Sequence, residues 1–210
     1  KEHIGHMKHV APEALHTAFQ KNYLKGHTAR GKNLIALKVL QQQANQFLEQ
    51  ELLLVKHHEV RVLDVEAEMK KPLLIPALGK EIFLKGTIDR IESVDGEVRI
   101  IDYKSGAVSP GDLRTYNMEE LASDPKRSKA FQLLCYAWLY SRDNPVFPYR
   151  AGIVSFRNLS LGRQWFGVRA GGKRPDETLG PEQVTAFEGV LQNLIAEIYS
   201  PELVLATPEP

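Results

Sequence analysis

Asp89, Asp102 and Lys104 are the residues whose types and spacing could do chemistry. Asp is depleted in strands and costly to bury unless something pairs with it. Yet Asp89 interrupts an apolar run between Ile88 and Ile91, and Asp102 directly follows Val98-Arg99-Ile100-Ile101. Side chains in a strand alternate faces, so Asp102 and Lys104 project together and Tyr103 projects to the other side. Two carboxylates offer hard oxygen ligands for Mg²⁺ or Mn²⁺, and such a cation relieves the repulsion between them. A lysine beside them can orient or polarise a water for attack on phosphorus. The plain alternative is a surface Asp–Lys pair on an edge strand with an unrelated Asp near a turn. That suffices for any single Asp, but it fits three such residues at this spacing poorly.

A β-hairpin is the element that must position them. Glu81 to Val94 is rich in β-branched and aromatic residues, and Glu97 to Lys104 returns antiparallel. Asp95-Gly96 between them is a strong hairpin signal, because both residues tolerate the positive φ of a tight turn. Pairing around that turn sets Asp89 on the strand beside Asp102.

Gly86-x-x-Asp89-Arg90-Ile91, then a strand ending Asp102-Tyr103-Lys104-Ser105-Gly106, then Gln132-Leu133-x-x-Tyr136-Ala137, resembles the PD-(D/E)XK nuclease superfamily. Its RecB/AddB-type exonuclease branch is the most similar. The resemblance is specific over about residues 60–140 and weaker on the flanks. It implies an α/β fold with a restriction-endonuclease-like core, a central mixed β-sheet flanked by helices. It also implies a metal-dependent DNA exonuclease using Mg²⁺ (or Mn²⁺). In that role Asp89 and Asp102 bind the metal, the backbone carbonyl of Tyr103 completes the set, and Lys104 positions the attacking water. Gln132 and Tyr136, one helical turn apart, orient the scissile phosphate. The family often carries a Glu on the strand before the hairpin, and Glu66 is the better match there. It also usually carries a metal-binding histidine on a preceding helix, in a Gly-x-x-x-His context that His16 lacks. His16 is kept as a candidate ligand, with the family histidine expected upstream of Lys1. The implied partners are DNA and a helicase subunit, or a helicase domain of the parent protein, in double-strand-break repair and recombination. A CRISPR- or phage-type RecB-like nuclease is an alternative, although such proteins frequently use four cysteines for an iron–sulfur cluster. A decayed DNA-binding module is another, against which the intact Asp89, Asp102 and Lys104 argue.

The 210 residues suffice for one good-sized domain with a real core. The chain starts without Met and ends Thr207-Pro208-Glu209-Pro210, and it reads as a nuclease domain excised from a larger protein. Residues 1–58 form its helical lead-in and 59–200 its core. No apolar run approaches the ~20 residues that span a bilayer, and no secretory signal pattern is present. Net charge is +1, so contact with nucleic acid must come from local patches rather than a global field. Cys135 is the one cysteine, which excludes an internal disulfide or a Cys₄ site and fits a reducing cytoplasm.

The remaining elements are read from periodicity. Pro12 suits a first helical turn, Leu15, Ala18, Phe19 and Tyr23 space as an apolar face, and Gly26 ends that helix. His3, His6 and His9 lie in the solvated stretch before it. Lys32 to Val55 is a long scaffold helix. Glu59 to Met69 is a strand, broken by Lys70-Lys71-Pro72, with Lys71 to Lys80 a connection. Ala107 to Asp124, rich in Ser, Pro, Gly and charge, is a loop or partly ordered excursion. In and after it, Arg114, Lys126, Arg127 and Lys129 could contact phosphates and Tyr116 could stack a base, with ordinary surface charge as the alternative. Arg127 to Ser141 is a helix whose Phe131, Leu134, Cys135 and Trp138 face the core. Ala151 to Arg157 adds a strand, Gln164 to Arg169 pairs with it, and Gly171 to Pro175 is a flexible basic loop. Pro181 opens the last helix.

Overall fold

A computed structural model describes residues 2–22, 30–169 and 174–200. Its elements are α1 (Glu2–Asn22), α2 (Gly31–His57), β1 (Val60–Ile75), β2 (Lys80–Val94), β3 (Glu97–Lys104), β4 (Arg114–Thr115), α3 (Glu120–Ser123), α4 (Ser128–Ser141), β5 (Tyr149–Ser155), β6 (Arg163–Trp165), β7 (Gly167–Val168) and α5 (Pro181–Ile198). The central sheet runs β1-β2-β3-β5-β6, and β4 pairs with β7 in a small second sheet. β3 and β5 are parallel and all other neighbours in the central sheet are antiparallel. The mixed sheet flanked by helices is the architecture the resemblance implies.

The Asp95-Gly96 turn forms as its chemistry requires, with φ of 52° and 87°. From it β2 and β3 pair in register from Val94↔Glu97 to Arg90↔Ile101. A parallel neighbour needs a crossover, since no tight turn can return the chain in the same direction. The segment from Ser105 to Pro148 supplies it, and α4 within that segment lies over the sheet. Leu133, Leu134, Ala137 and Trp138 of α4 are buried together with Ile91, Ile100 and Ile153 of the sheet and Phe187 of α5. On the opposite face, Ile101, Val154 and Leu159 form a smaller cluster with Phe47 of α2, Tyr103 and Phe156.

Three expectations are corrected. First, β1 does not stop at Lys70-Lys71-Pro72 but continues to Ile75, pairing Pro72 with Phe83. β1 is an edge strand, where the missing N–H of proline need not cost a ladder bond. The turn to β2 is only Pro76–Gly79, closed by Gly79 at φ 57°. Second, Pro12 lies inside α1, which begins ten residues earlier. Pro12 is exposed within the helix, so a carbonyl left without its N–H partner there can be solvated. Gly26, the expected end, falls outside the described residues, as does Gly171 to Lys173 of the basic loop. Third, Ala107 to Asp124 is ordered: Val108, Leu113 and Leu121 enter the main core and Arg114–Thr115 pairs with Gly167–Val168.

Candidate active site

The site lies in the fork where β2 leaves β3. Ladder pairing ends at Arg90↔Ile101, so the next pair in register is Asp89 and Asp102. Instead of a backbone bond, Asp89 Oδ2 accepts one from the Tyr103 N–H at 2.7 Å, which ties the carboxylate of one strand to the main chain of the other. The hairpin is irregular here. Ile88 and Ile91 both reach the main core, which strict alternation forbids. Across the ladder, β1 has a register shift at Leu63, opposite Ile91 and Glu92, and holds Glu66 at φ 51° opposite Asp89. Bulges of this kind re-aim side chains beside active sites.

Asp102 is 2% exposed. Lys104 Nζ donates to Asp102 Oδ1 at 3.0 Å and to Gln132 Oε1 at 2.9 Å. Gln132 Nε2 in turn donates to the Tyr136 hydroxyl at 2.7 Å. The chain Asp102–Lys104–Gln132–Tyr136 therefore joins β3 to α4 through one polar path. An ammonium has three protons, so Lys104 keeps one donor to spare, and Tyr136, accepting from Gln132, keeps its own proton to give.

Burial pushes the Asp102 carboxyl above its usual range; Lys104 opposes that rise and Asp89 adds to it. Burial likewise raises the Tyr136 phenol, against the Gln132 bond, with both Asp102 and Asp89 contributing. The phenol thus feels both carboxylates.

Asp102 Oδ2 is buried and accepts no hydrogen bond. Lys104 Nζ lies 2.9 Å from it, but its aligned bond goes to Oδ1. Two carboxylates set side by side, one of them almost wholly buried, fit a hard divalent cation. Among the described residues no third His, Cys, Asp or Glu joins the pair. Glu66 sits opposite Asp89 in register, but it is exposed and in the left-handed conformation. His16 lies half-buried on α1. The Tyr103 carbonyl is on the backbone whose N–H meets Asp89.

The residues singled out for nucleic acid flank α4. Arg114 is bound to Glu177 at 2.7 Å, Lys129 to Asp112 at 3.0 Å, and Arg127 to the Gly111 carbonyl at 2.6 Å. Lys126 is exposed, and Tyr116 is 59% exposed with Arg169 over its ring.

Sequence reasoning missed the support behind the site. On the α2 side of the sheet, Arg90 meets Glu51 at 2.8 Å and Glu92 at 2.5 Å, and Arg163 meets the same two acids at 2.6 and 3.1 Å. The Tyr103 hydroxyl accepts from Arg90 at 3.3 Å. The one available signal was Glu92, a charge set between Ile91 and Ser93-Val94 near the strand end.

Gly86 has a packing reason. A β-carbon there would lie 3.2 Å from Leu139 Cδ1 and 3.4 Å from Tyr136 Cε1. Gly86→Val is expected to cost about 1–3 kcal/mol by overpacking and to displace Tyr136 from Gln132. A urea melt beside a cleavage assay checks both.

Residues 3–210 match the PD-(D/E)XK nuclease superfamily. The chain belongs to that superfamily, whose members are metal-dependent nucleases acting on nucleic acid. No curated protein matches it. Among solved structures, the crystal structure of SSO0001 aligns over 89% of this chain and 72% of that chain, at 14% identity and a TM-score of 0.31. Among the described residues no helix is long and apolar enough to cross a membrane.

Proposed function

We propose that this chain is a Mg²⁺- or Mn²⁺-dependent DNA exonuclease domain of the RecB/AddB type, acting in the cytoplasm beside a helicase subunit or domain in the processing of broken DNA ends. The observation that supports it most is the meeting of Asp89, Asp102 and Lys104 in one fork of the sheet. Asp89, Asp102 and the Tyr103 carbonyl would hold the cation. When bound, the cation supplies Lewis-acid stabilisation of the phosphoryl oxygens and lowers the pKa of water.

The protein's own groups do the rest. Lys104, anchored by Asp102 and Gln132, offers its remaining N–H to the attacking water or to charge developing on phosphate. Tyr136 donates its hydroxyl proton to a phosphate oxygen, held in place by Gln132. Water adds to phosphorus and gives up a proton to solvent, while the P–O bond to the leaving nucleoside breaks and the freed oxygen takes a proton from solvent.

Digestion of end-labelled linear DNA and of closed circular DNA, with Mg²⁺ and with Mn²⁺, tests the reading. The expected result is release of label from linear DNA with the circle untouched. Cleavage of the circle would replace exonuclease with endonuclease, and no cleavage of either with either metal would overturn the assignment.

A further inference from the structure

Lys104 is the last residue of β3, and the chain leaves the sheet directly after it. The place of its ammonium group depends on the bonds at its head and on where its backbone stops. Its register partner on β5 is Ser155. Strand side chains alternate, and Ile153, two residues before Ser155, lies with Ile100 in the main core. Ser155 therefore stands on the same face of the sheet as Asp102 and Lys104. It is 0% exposed. A buried hydroxyl must find its hydrogen-bond partners inside the protein, and Ser155 finds both around the turn behind Lys104. Its Oγ donates to the Gly106 carbonyl at 2.7 Å and accepts from the Asn158 N–H at 3.2 Å. Asn158 Nδ2 donates to the Val108 carbonyl at 3.4 Å, and Val108 itself is buried in the main core. Residues 105–108 thus pass over the end of β5 as a strap, with Ser155 beneath it. On the other face of the sheet the Tyr103 and Phe156 rings lie 5.9 Å apart, and both meet Phe47. The end of β5 is therefore a post that holds the chain on both sides of Lys104. Phe156 packs on the residue before the lysine, and Ser155 bonds the residue two beyond it.

We infer that Ser155 is a positioning residue for Lys104: its hydroxyl fixes the point at which β3 ends, and so holds the lysine stem while Asp102 and Gln132 hold the head. The inference rests on the nuclease reading for what Lys104 does, but not for how Lys104 is held. The two sets of bonds close a ring. From Lys104 the strap leads to Asp112, Asp112 accepts from Lys129 of α4 at 3.0 Å, and Gln132, one turn along α4 from Lys129, returns to Lys104 at 2.9 Å. The strap is thus tied to β5 on one side and to α4 on the other. Removing the Ser155 hydroxyl loosens the ring without breaking the fold. Gly106 is exposed and Asn158 half-buried, so water can reach both groups it frees. The β3–β5 ladder and the core beneath it remain. What is lost is the precision with which an ammonium group meets water and phosphate.

The test compares the full chain with Ser155→Ala and with Ser155→Thr, which restores the hydroxyl. Cleavage of end-labelled linear DNA is measured at saturating Mg²⁺. Ser155→Ala is expected to lower kcat about tenfold to a hundredfold with KM unchanged, because a small displacement of a reacting group costs of that order. Ser155→Thr is expected to stay near the parent. An unchanged kcat in Ser155→Ala overturns the inference, as does a fall that Ser155→Thr does not relieve. A rise in KM as large as the fall in kcat also overturns it, since that is the mark of a site loosened as a whole. A second measurement needs no cleavage. Acetic anhydride labelling in EDTA at one fixed pH, read by peptide mass mapping, is expected to modify Lys104 several times faster in Ser155→Ala than in the parent. Exposed Lys126 serves as the internal reference. Lys104 labelling at one rate in both proteins overturns the inference even if the parent cuts DNA. A parent that cuts nothing overturns the nuclease reading, and the labelling ratio then decides the role of Ser155 alone.

Discussion

Asp102→Asn is expected to lower cleavage by about a thousandfold while making the metal-free protein more stable. The first half follows from charge. The amide is nearly isosteric, so packing against α4 survives, but a cation loses one of its two carboxylates and Lys104 loses the partner that anchors it. The second half follows from burial. Desolvation pushes the Asp102 carboxyl up and Asp89 adds to the rise, with Lys104 only partly offsetting them. A carboxyl raised on folding contributes stability that is fully present below its unfolded pKa and is lost as pH rises through the folded one. At neutral pH the parent has lost that contribution, and the neutral amide has no such loss. Asp102→Asn should therefore melt higher in EDTA at neutral pH, by about 0.5–2 kcal/mol, and the gap should close as pH falls below the ordinary carboxylate value. A lower melt at neutral pH would mean that the Lys104 pair outweighs the burial. Added Mn²⁺ should reverse the order, stabilising the parent more than the variant.

Local signals made the carboxylate pair legible. Asp95-Gly96 admits one turn, the two-residue period then sets Asp89 beside Asp102, and the apolar face of α4 leaves Gln132 and Tyr136 on its other side. What stayed hidden depends on position in the sheet. Pro72 breaks a central strand but not an edge strand, and only the strand order makes β1 an edge. The chain from Ala107 to Asp124 looked polar, yet Val108, Leu113 and Leu121 are buried in the core with Met118 packed against it, which pins the segment down. Periodicity could not reveal the Glu51–Arg163 pair, whose members lie 112 residues apart. The register shift at Leu63 and the left-handed Glu66 on β1 were equally out of reach, since neither residue type signals such a conformation.

Arg90→Ala is expected to destabilise the fold by about 3–5 kcal/mol, the range that follows when one partner of a buried ion pair is removed. Arg90 and Arg163 balance Glu51 and Glu92, two cations against two anions, and Glu92 is fully buried. Burial works against the Arg90 charge, but Glu51, Tyr103 and Glu92 outweigh it, so its pKa is raised. Removing that cation strands a negative charge where water cannot reach it. The damage should spread to chemistry, because Arg90 follows Asp89 and its hydroxyl partner Tyr103 sits between Asp102 and Lys104. Both strands that carry the carboxylates are held from behind by this network. Charge balance supplies the control. Arg90→Leu combined with Glu92→Leu removes one charge of each sign and leaves Arg163 with Glu51. Replacing a buried pair by apolar groups of similar size is often close to neutral, so the double variant should recover most of the lost stability in a urea melt. If it melts no higher than Arg90→Ala, the loss comes from packing of the arginine stem rather than from the stranded carboxylate.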